Sequence, residues 1–165
     1  MKNLLAIRPA VPGDEGLLLA LIRELAEYER MLDEVEATET NLADSLFHEG
    51  AVAEAVIAEW DGSPVGFALF FRNFSTFVGR PGLYLEDIYV REAFRGRGIG
   101  KALLLHLAAV ARRRGYGRME WSVLNWNQPA IEFYRSLGAT PMSDWTVFRL
   151  DEKSLANLVD EHTES

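Results

Sequence analysis

The sequence predicts a single α/β (α+β) domain in which a mixed central sheet of about six to seven strands is flanked by about four helices. Three observations lead to this class. Strand-length apolar segments alternate with longer segments of helical periodicity. Two strand segments enclose a tight Asp-Gly turn, which indicates an antiparallel hairpin. A later strand, glycine-rich turn, helix and strand indicate a parallel crossover, so the sheet contains both kinds of pairing.

The first half of the chain predicts a strand, two helices and a hairpin. Residues 4–10 are an apolar strand segment that ends near a proline, and 13–30 place leucines at helical spacing behind an acidic first turn. Residues 38–47 predict a shorter helix with a Thr or Asn cap. The segments 51–60 and 65–74 flank Asp-Gly-Ser-Pro and therefore predict the two strands of a hairpin.

The second half predicts a strand–helix alternation. Residues 82–90 are a strand, and 98–115 are a helix with three arginines at its C-terminal end, where the helix dipole favours cations. Residues 117–127 alternate as a strand. Residues 128–138 have a proline near the first helical position and a glycine just past the last, as is typical of a helix. A last strand is expected at 145–151, followed by a weak helix.

The composition excludes several function classes. The 165 residues (1–165) suit one domain, and 48% of them are hydrophobic, which is enough for a core. No cysteine is present, so disulfides, thiolate metal sites and a cysteine nucleophile are excluded. The three histidines, His48, His106 and His162, lack metal-ligand spacing, and no metal is expected. The chain shows neither a signal peptide nor an 18-residue apolar run, so we expect a cytoplasmic protein without membrane association.

Charge is unevenly distributed. Residues 24–36 contain six acids and one base, and 91–118 contain eight bases and one acid, within a net charge of −8. This separation favours an anionic ligand at one place and a cationic ligand at another. The alternative is two solvated helix faces. Nucleic-acid binding through 91–118 ranks last, because the overall negative charge disfavours phosphate binding.

The turn after the fourth strand segment has glycines at alternate positions, Gly96, Gly98 and Gly100. A dinucleotide fingerprint requires G-x-G-x-x-G, and a Walker A loop requires Ser or Thr after Lys101, where this chain has Ala102. Both are excluded. The remaining pattern places flexible backbone and interleaved cations at a helix start, whose N–H groups suit an anion. A tight strand-to-helix connection without a ligand is the alternative.

The segment Arg95-Gly96-Arg97-Gly98-Ile99-Gly100 resembles the acetyl-coenzyme A signature of the GNAT N-acetyltransferase superfamily. With "LIRELAEYE", "YLEDIYVREAFRGRGIG" and "WNQPAIEFYRSLGA", the chain from Ile7 to Leu150 is similar to the diamine (spermidine/spermine-type) acetyltransferase branch. The resemblance implies the GNAT acyl-CoA N-acyltransferase fold, acetyl-CoA as co-substrate and a homodimer.

The resemblance also implies a cofactor site. The main chain of Ile88 to Val90 would pair with the pantetheine arm, the amides of 96–101 would hold the pyrophosphate, and Asn127 would contact the arm. The implied cofactor-binding residues are Ile88, Tyr89, Val90, Arg95, Gly96, Arg97, Gly98, Ile99, Gly100, Lys101, Asn127, Gln128, Pro129 and Ala130.

Without cysteine, direct attack of the amine on the thioester is favoured over an acyl-enzyme. The resemblance makes Tyr134 the general acid toward the CoA sulfur, and a phenol with a pKa of about 10 suits that role. The alternative is that Tyr134 is a packed core tyrosine. The resemblance also makes Glu86 the base, acting through water, with Glu120 as rival. Asp87 follows Glu86 directly, so alternation points the two to opposite faces; a salt bridge or turn contact is the alternative for Asp87.

The implied acceptor is a small cationic amine. Its substrate-binding residues are Tyr28, Glu29, Glu86, Glu120 and Trp145. In the spermidine/spermine enzymes an Asp and a Trp precede the "LED" strand, whereas this chain has Ser75 and Phe77, which favours shorter diamines, ornithine or thialysine. Two alternatives remain: a protein or peptide N-acetyltransferase, and a CoA-binding module without turnover.

Overall fold

The computed structural model describes residues 2–163. Within this range the chain forms five strands and five α-helices. Their bounds are β1 Leu5–Pro9, α1 Glu15–Tyr28, α2 Glu39–Leu46, β2 Glu54–Trp60, β3 Ser63–Ser75, β4 Arg80–Val90, α3 Ile99–Arg113, β5 Met119–Trp121, α4 Gln128–Ser136 and α5 Glu152–His162. Short 3-10 turns lie at Leu32–Glu34 and Glu92–Phe94. The chain divides into two compact units, one ending at Leu124 and one beginning at Asn125.

All five strands belong to one mixed sheet in the order β1-β2-β3-β4-β5. The first four pair antiparallel, and β4 and β5 pair in parallel across the α3 crossover. The β2–β3 connection is the expected two-residue turn, in which Asp61 and Gly62 both have positive φ (49° and 83°). The mixed α/β class is therefore confirmed.

The strand count is lower than expected and the helix count higher. The sheet has five strands because 145–151 forms none; there Val147 is 84% and Phe148 92% exposed. Alternation in a sequence supplies side chains for a strand but not the hydrogen-bonding edge that a strand requires. The expected strand over 117–127 is reduced to Met119–Trp121, and the weak helix is the regular α5.

A leucine stripe on α1 packs against the hairpin. Leu18, Leu21 and Leu25 are buried with Ile57 of β2 and Phe67 of β3. These leucines are three and four residues apart, which places them on one face of the helix. The leucine stripe therefore fixes α1 against the sheet. The C-terminal end of α1 is thereby held near the end of β4, where the candidate site residues lie.

No helix in residues 2–163 combines the length and the apolar character needed to cross a bilayer.

Candidate active site

Strand β4 carries two adjacent carboxylates at a β-bulge. Leu69 of β3 pairs with Asp87, and the next residue, Phe70, pairs with Leu85. Glu86 is therefore the extra residue of the bulge, a feature common beside active sites because it re-aims side chains. Glu86 is exposed and Asp87 half-buried. The bulge, and not simple alternation, determines where these carboxylates lie.

Asp87 is a half-buried acid close to other acids. Burial first, and then the charges of Glu86 and Glu29, together raise the pKa of Asp87 from its ordinary value near 3.8 to about 6. Burial also raises the pKa of Glu29. Within residues 2–163 Asp87 has no ion pair, so the salt-bridge interpretation of this residue is wrong.

The expected substrate-side residues Glu29 and Glu86 thus both lie near enough to Asp87 for their charges to act on it. Glu29 follows the last residue of α1, so the helix end delivers a carboxylate to the bulge of β4. A cation that arrives beside Asp87 relieves the repulsion that Glu86 and Glu29 exert on its charge. The arrangement therefore suits a positively charged ligand. The sequence analysis did not include Asp87 among the site residues. The raised pKa that now marks this residue arises only in the folded chain.

Glu120, the rival base, lies on β5 opposite Tyr84. Its carboxylate pairs with the Nε of Arg118 at 3.1 Å. The carboxylate of Glu120 is thus already engaged by a guanidinium, whereas Glu86 forms no ion pair within residues 2–163. This contact favours Glu86 over Glu120 as a base.

Beyond the bulge, one edge of β4 is open. β5 pairs with β4 only at Leu83–Leu85. At the other edge Arg91 donates its backbone N–H to Val65, which marks a hydrogen-bonded pair with β3. Because such pairs alternate along antiparallel strands, the main-chain groups of Ile88 and Val90 point to the open edge and those of Tyr89 point to β3. Two of the three expected backbone contacts thus lie on the edge available to a ligand.

The glycine loop has the backbone that only glycine adopts easily. Gly96 and Gly98 have φ of 79° and 78°, and a Cβ added to either would meet no atom within 4 Å. Conformation, not crowding, therefore requires glycine here. Gly98 is the N-cap of α3 and has no side chain to satisfy the first-turn N–H groups. The buried Ile99 anchors the loop, and the exposed Lys101 follows.

The arginines around this loop lie against specific partners. Arg91 forms an ion pair with Glu24 of α1 at 3.1 Å. The Cζ of Arg95 lies 4.7 Å from the ring centroid of Tyr28. Arg97 lies 5.1 Å from the ring centroid of Trp60 and 4.9 Å from that of Phe94. The last three of these partners are aromatic rings, so the two loop arginines keep their positive charge unneutralised. Glu24 and Phe94 lie within the motif segments quoted above, whereas Trp60 carries no sequence signal that assigns it to this region.

The unit that begins at Asn125 contains the other expected residues. The side chain of Asn127 caps α4 by accepting from the N–H of Ala130 at 3.4 Å, and Pro129 lies in the first turn. Tyr134 is a half-buried residue of α4 whose ring lies 5.8 Å from that of Phe133. Trp145 follows α4 outside regular structure and is 74% exposed.

Comparisons with known proteins agree with these features. The model of the Acetyltransferase (GNAT) family matches residues 18–139. The chain is 37% identical to a thialysine N-epsilon-acetyltransferase from Bos taurus over 92% of this chain and 95% of that protein. It is 30% identical to an L-ornithine N5-acetyltransferase from Arabidopsis thaliana over 90% of this chain and 85% of that protein. The structure of an integron cassette protein from V. cholerae superposes with a TM-score of 0.79 at 26% identity, over 96% of this chain and 99% of that one.

Proposed function

The chain belongs to the GNAT acetyltransferase family, in its diamine and polyamine branch, and from this premise we propose that it transfers an acetyl group from acetyl-CoA to a primary amine of a small cationic substrate. The observation that carries the proposal is the group of Glu29, Glu86 and Asp87, which repel one another. An ammonium ion among them removes that repulsion. The glycine loop supplies the complementary site for an anionic cofactor.

The acceptor we propose is a short diamine, ornithine or thialysine. The named activities of the bovine and Arabidopsis relatives support this class. The hairpin tip carries Ser75 and an exposed Phe77, so it adds no carboxylate for a longer polyamine. Tyr28 and Glu29 would contact the aliphatic and cationic parts of such an amine, and Trp145 would border it.

We propose direct transfer in a ternary complex. The neutral amine nitrogen attacks the thioester carbonyl and forms a C–N bond, and collapse of the tetrahedral intermediate breaks the C–S bond. Glu86 accepts the ammonium proton through a water, with Asp87 as the second candidate because a pKa near 6 suits a base at neutral pH. Tyr134 donates its phenolic proton to the departing sulfur. No cysteine is available for an acyl-enzyme route.

Acetyl-CoA would bind along the open edge of β4 and the glycine loop. The edge groups of Ile88 and Val90 would pair with the pantetheine amides, and the first-turn N–H groups of α3 would hold the pyrophosphate. Gln128 and the capped start of α4 are the further contacts that we propose. We also propose that the protein acts in the cytoplasm as a homodimer, without metal, membrane or nucleic acid.

An acceptor screen tests the function. The protein is incubated with acetyl-CoA and thialysine, ornithine, 1,3-diaminopropane, spermidine or a lysine-containing peptide, and the released thiol is followed. We expect turnover with the first three amines and little with the peptide. Preference for the peptide would support a protein acetyltransferase, and CoA binding without any thiol release would support a binding module.

Substitution of the proposed acid gives a sharper test. Tyr134→Phe should lower kcat by about 100-fold or more while leaving the KM for acetyl-CoA nearly unchanged, because the phenol acts only as the sulfur departs. Tyr116→Phe, a tyrosine beside Arg114, is the matched control and should keep normal kcat. Equal kcat in the wild type and Tyr134→Phe would remove Tyr134 from the mechanism.

A further inference from the structure

Arg95 contacts both halves of the candidate site. Its Nε donates to the carbonyl oxygen of Val90 at 3.0 Å, on the open edge of β4. The same guanidinium has its Cζ 4.7 Å from the centroid of the Tyr28 ring and 5.6 Å from that of Tyr89. Val90 belongs to the proposed cofactor edge and Tyr28 to the proposed amine side. A single cation therefore joins two regions that the proposed reaction uses for different ligands.

Both partners of Arg95 would be needed by a substrate. The carbonyl of Val90 is one of the open-edge groups that an incoming pantetheine amide would use. Tyr28, next to Glu29, is 42% exposed as a residue, and the face of its ring is where an aromatic side chain attracts an ammonium ion. Arg95 lies over this face as a competing cation. In this position it disfavours both ligands.

The elements around Arg95 are fixed more firmly than Arg95 itself. Arg91 donates from Nε and Nη2 to the carboxylate of Glu24, at 3.1 to 3.2 Å, and from Nη1 to the carbonyl of Pro64 at 3.0 Å. These bonds hold α1 to the end of β4. Arg95 is exposed, and it is held by hydrogen bonds to the carbonyl of Val90 and the side chain of Tyr89 and by contacts to aromatic rings, with no carboxylate partner within residues 2–163. A diphosphate offers a guanidinium charge-assisted, bidentate bonds that are stronger than these contacts.

Building on the proposed function, we propose that Arg95 determines when a cationic amine can enter. In the position described above it covers the carbonyl of Val90 and the face of Tyr28. The pyrophosphate of acetyl-CoA draws the guanidinium to the glycine loop, and this one movement uncovers the strand edge for pantetheine and the ring for the amine. Cofactor and amine then favour each other's binding, and the coupling is reciprocal.

Arg97 provides a matched control on the same loop. It has the same charge and is also held by aromatic rings, but these are Trp60 and Phe94 and not Tyr28. Arg95→Gln and Arg97→Gln each remove one positive charge from the loop. Both should weaken CoA binding by general electrostatics, so only the behaviour of Tyr28 and of the amine separates them.

The first measurement observes Tyr28 directly. The protein is labelled with 3-fluorotyrosine, the Tyr28 resonance is assigned with Tyr28→Phe, and CoA is added to saturation while calorimetry records its binding. We expect CoA to move the Tyr28 resonance in the wild type and in Arg97→Gln. In Arg95→Gln the resonance should already lie near its CoA-bound position and should not move. The inference is overturned if the Tyr28 resonance of the wild type does not shift when CoA binds. It is also overturned if the resonance shifts as much in Arg95→Gln as in the wild type.

The second measurement is the coupling itself. We expect CoA to tighten thialysine binding by roughly three- to tenfold in the wild type and Arg97→Gln, the range that a displaced cation–π contact allows. In Arg95→Gln the affinity for thialysine should be the same with and without CoA. Unchanged coupling in Arg95→Gln contradicts the role of Arg95 while leaving the proposed function intact. Failure of CoA to bind the wild type at all would contradict the proposed function together with this inference.

Discussion

The charged side chains at the two ends of the segment from Glu86 to Arg97 differ in how they are partnered. At the acid end, Asp87 is half-buried, lacks an ion pair among the described residues and is repelled by Glu86 and Glu29. At the cationic end, Arg91 has a carboxylate partner, and Arg95 and Arg97 lie on aromatic rings. Repelling carboxylates cost stability, whereas cations on rings cost little. The acid end is therefore stabilised when a cation binds there. At the cationic end, the arginines on aromatic rings can exchange these contacts for an anionic ligand.

The largest expected effect comes from the exposed member of the acid end. Glu86→Gln keeps the size of the side chain and removes its basicity, so kcat/KM for the amine should fall by about 100- to 10,000-fold. Glu120→Gln is the control, since Glu120 is already paired with Arg118. A larger loss in Glu120→Gln than in Glu86→Gln would exchange the two roles.

The cost of the acid end should appear as a pH-dependent stability. The folded pKa of Asp87 lies above its unfolded value, so its contribution to stability is complete below about pH 4 and is lost as the pH rises through about 6. Asp87→Asn should therefore stabilise the protein at pH 8, by at most about 3 kcal/mol, and change little at pH 4.

Denaturant unfolding of the wild type and Asp87→Asn at both pH values measures this effect. Asp14 is the control of opposite sign, because its hydrogen bond to Arg8, at 2.8 Å, lowers the pKa of its carboxyl. Asp14→Asn should destabilise the protein at pH 8. The same destabilisation in Asp87→Asn would show that Asp87 is satisfied in the folded state.

The sequence predicted the features that depend on a few consecutive residues. The Asp-Gly hairpin turn and the glycines at a helix start follow from local backbone preference, and both are present. The bulge at Glu86 depends on how β4 aligns with Leu69 and Phe70 of β3, which lie 17 and 16 residues away in the chain. The burial of Asp87 and the stacking of Arg95 on Tyr28 depend on the docking of α1. Such non-local contacts leave no spacing pattern to read.

At the cationic end, the loop glycines should matter for both strain and ligand binding. Gly98→Ala forces an L-residue to a φ of 78° and should cost about 1–2 kcal/mol of stability. It should also raise the KM for acetyl-CoA by about tenfold, because the first-turn N–H groups move. Gly115→Ala, at a φ of 70° after the other end of α3, should cost similar stability without changing this KM. Equal KM values in the two variants would separate the glycine loop from the cofactor.

The smallest effect concerns the pair that ties the cationic end to α1. Glu24 and Arg91 are about one-third exposed (side chains 35% and 34%), so Glu24→Gln should cost only about 0.5–1 kcal/mol of stability. Glu54→Gln breaks a comparable pair with Arg114, at 2.7 Å and distant in sequence from the site, and should cost a similar amount. Only Glu24→Gln loosens the frame beneath Tyr28 and Tyr89, so only this variant should also raise the KM for the amine, by about two- to threefold. If both variants left this KM unchanged, the position of α1 would be set by its leucine stripe alone, and the contact between Tyr28 and Arg95 would not depend on the ion pair.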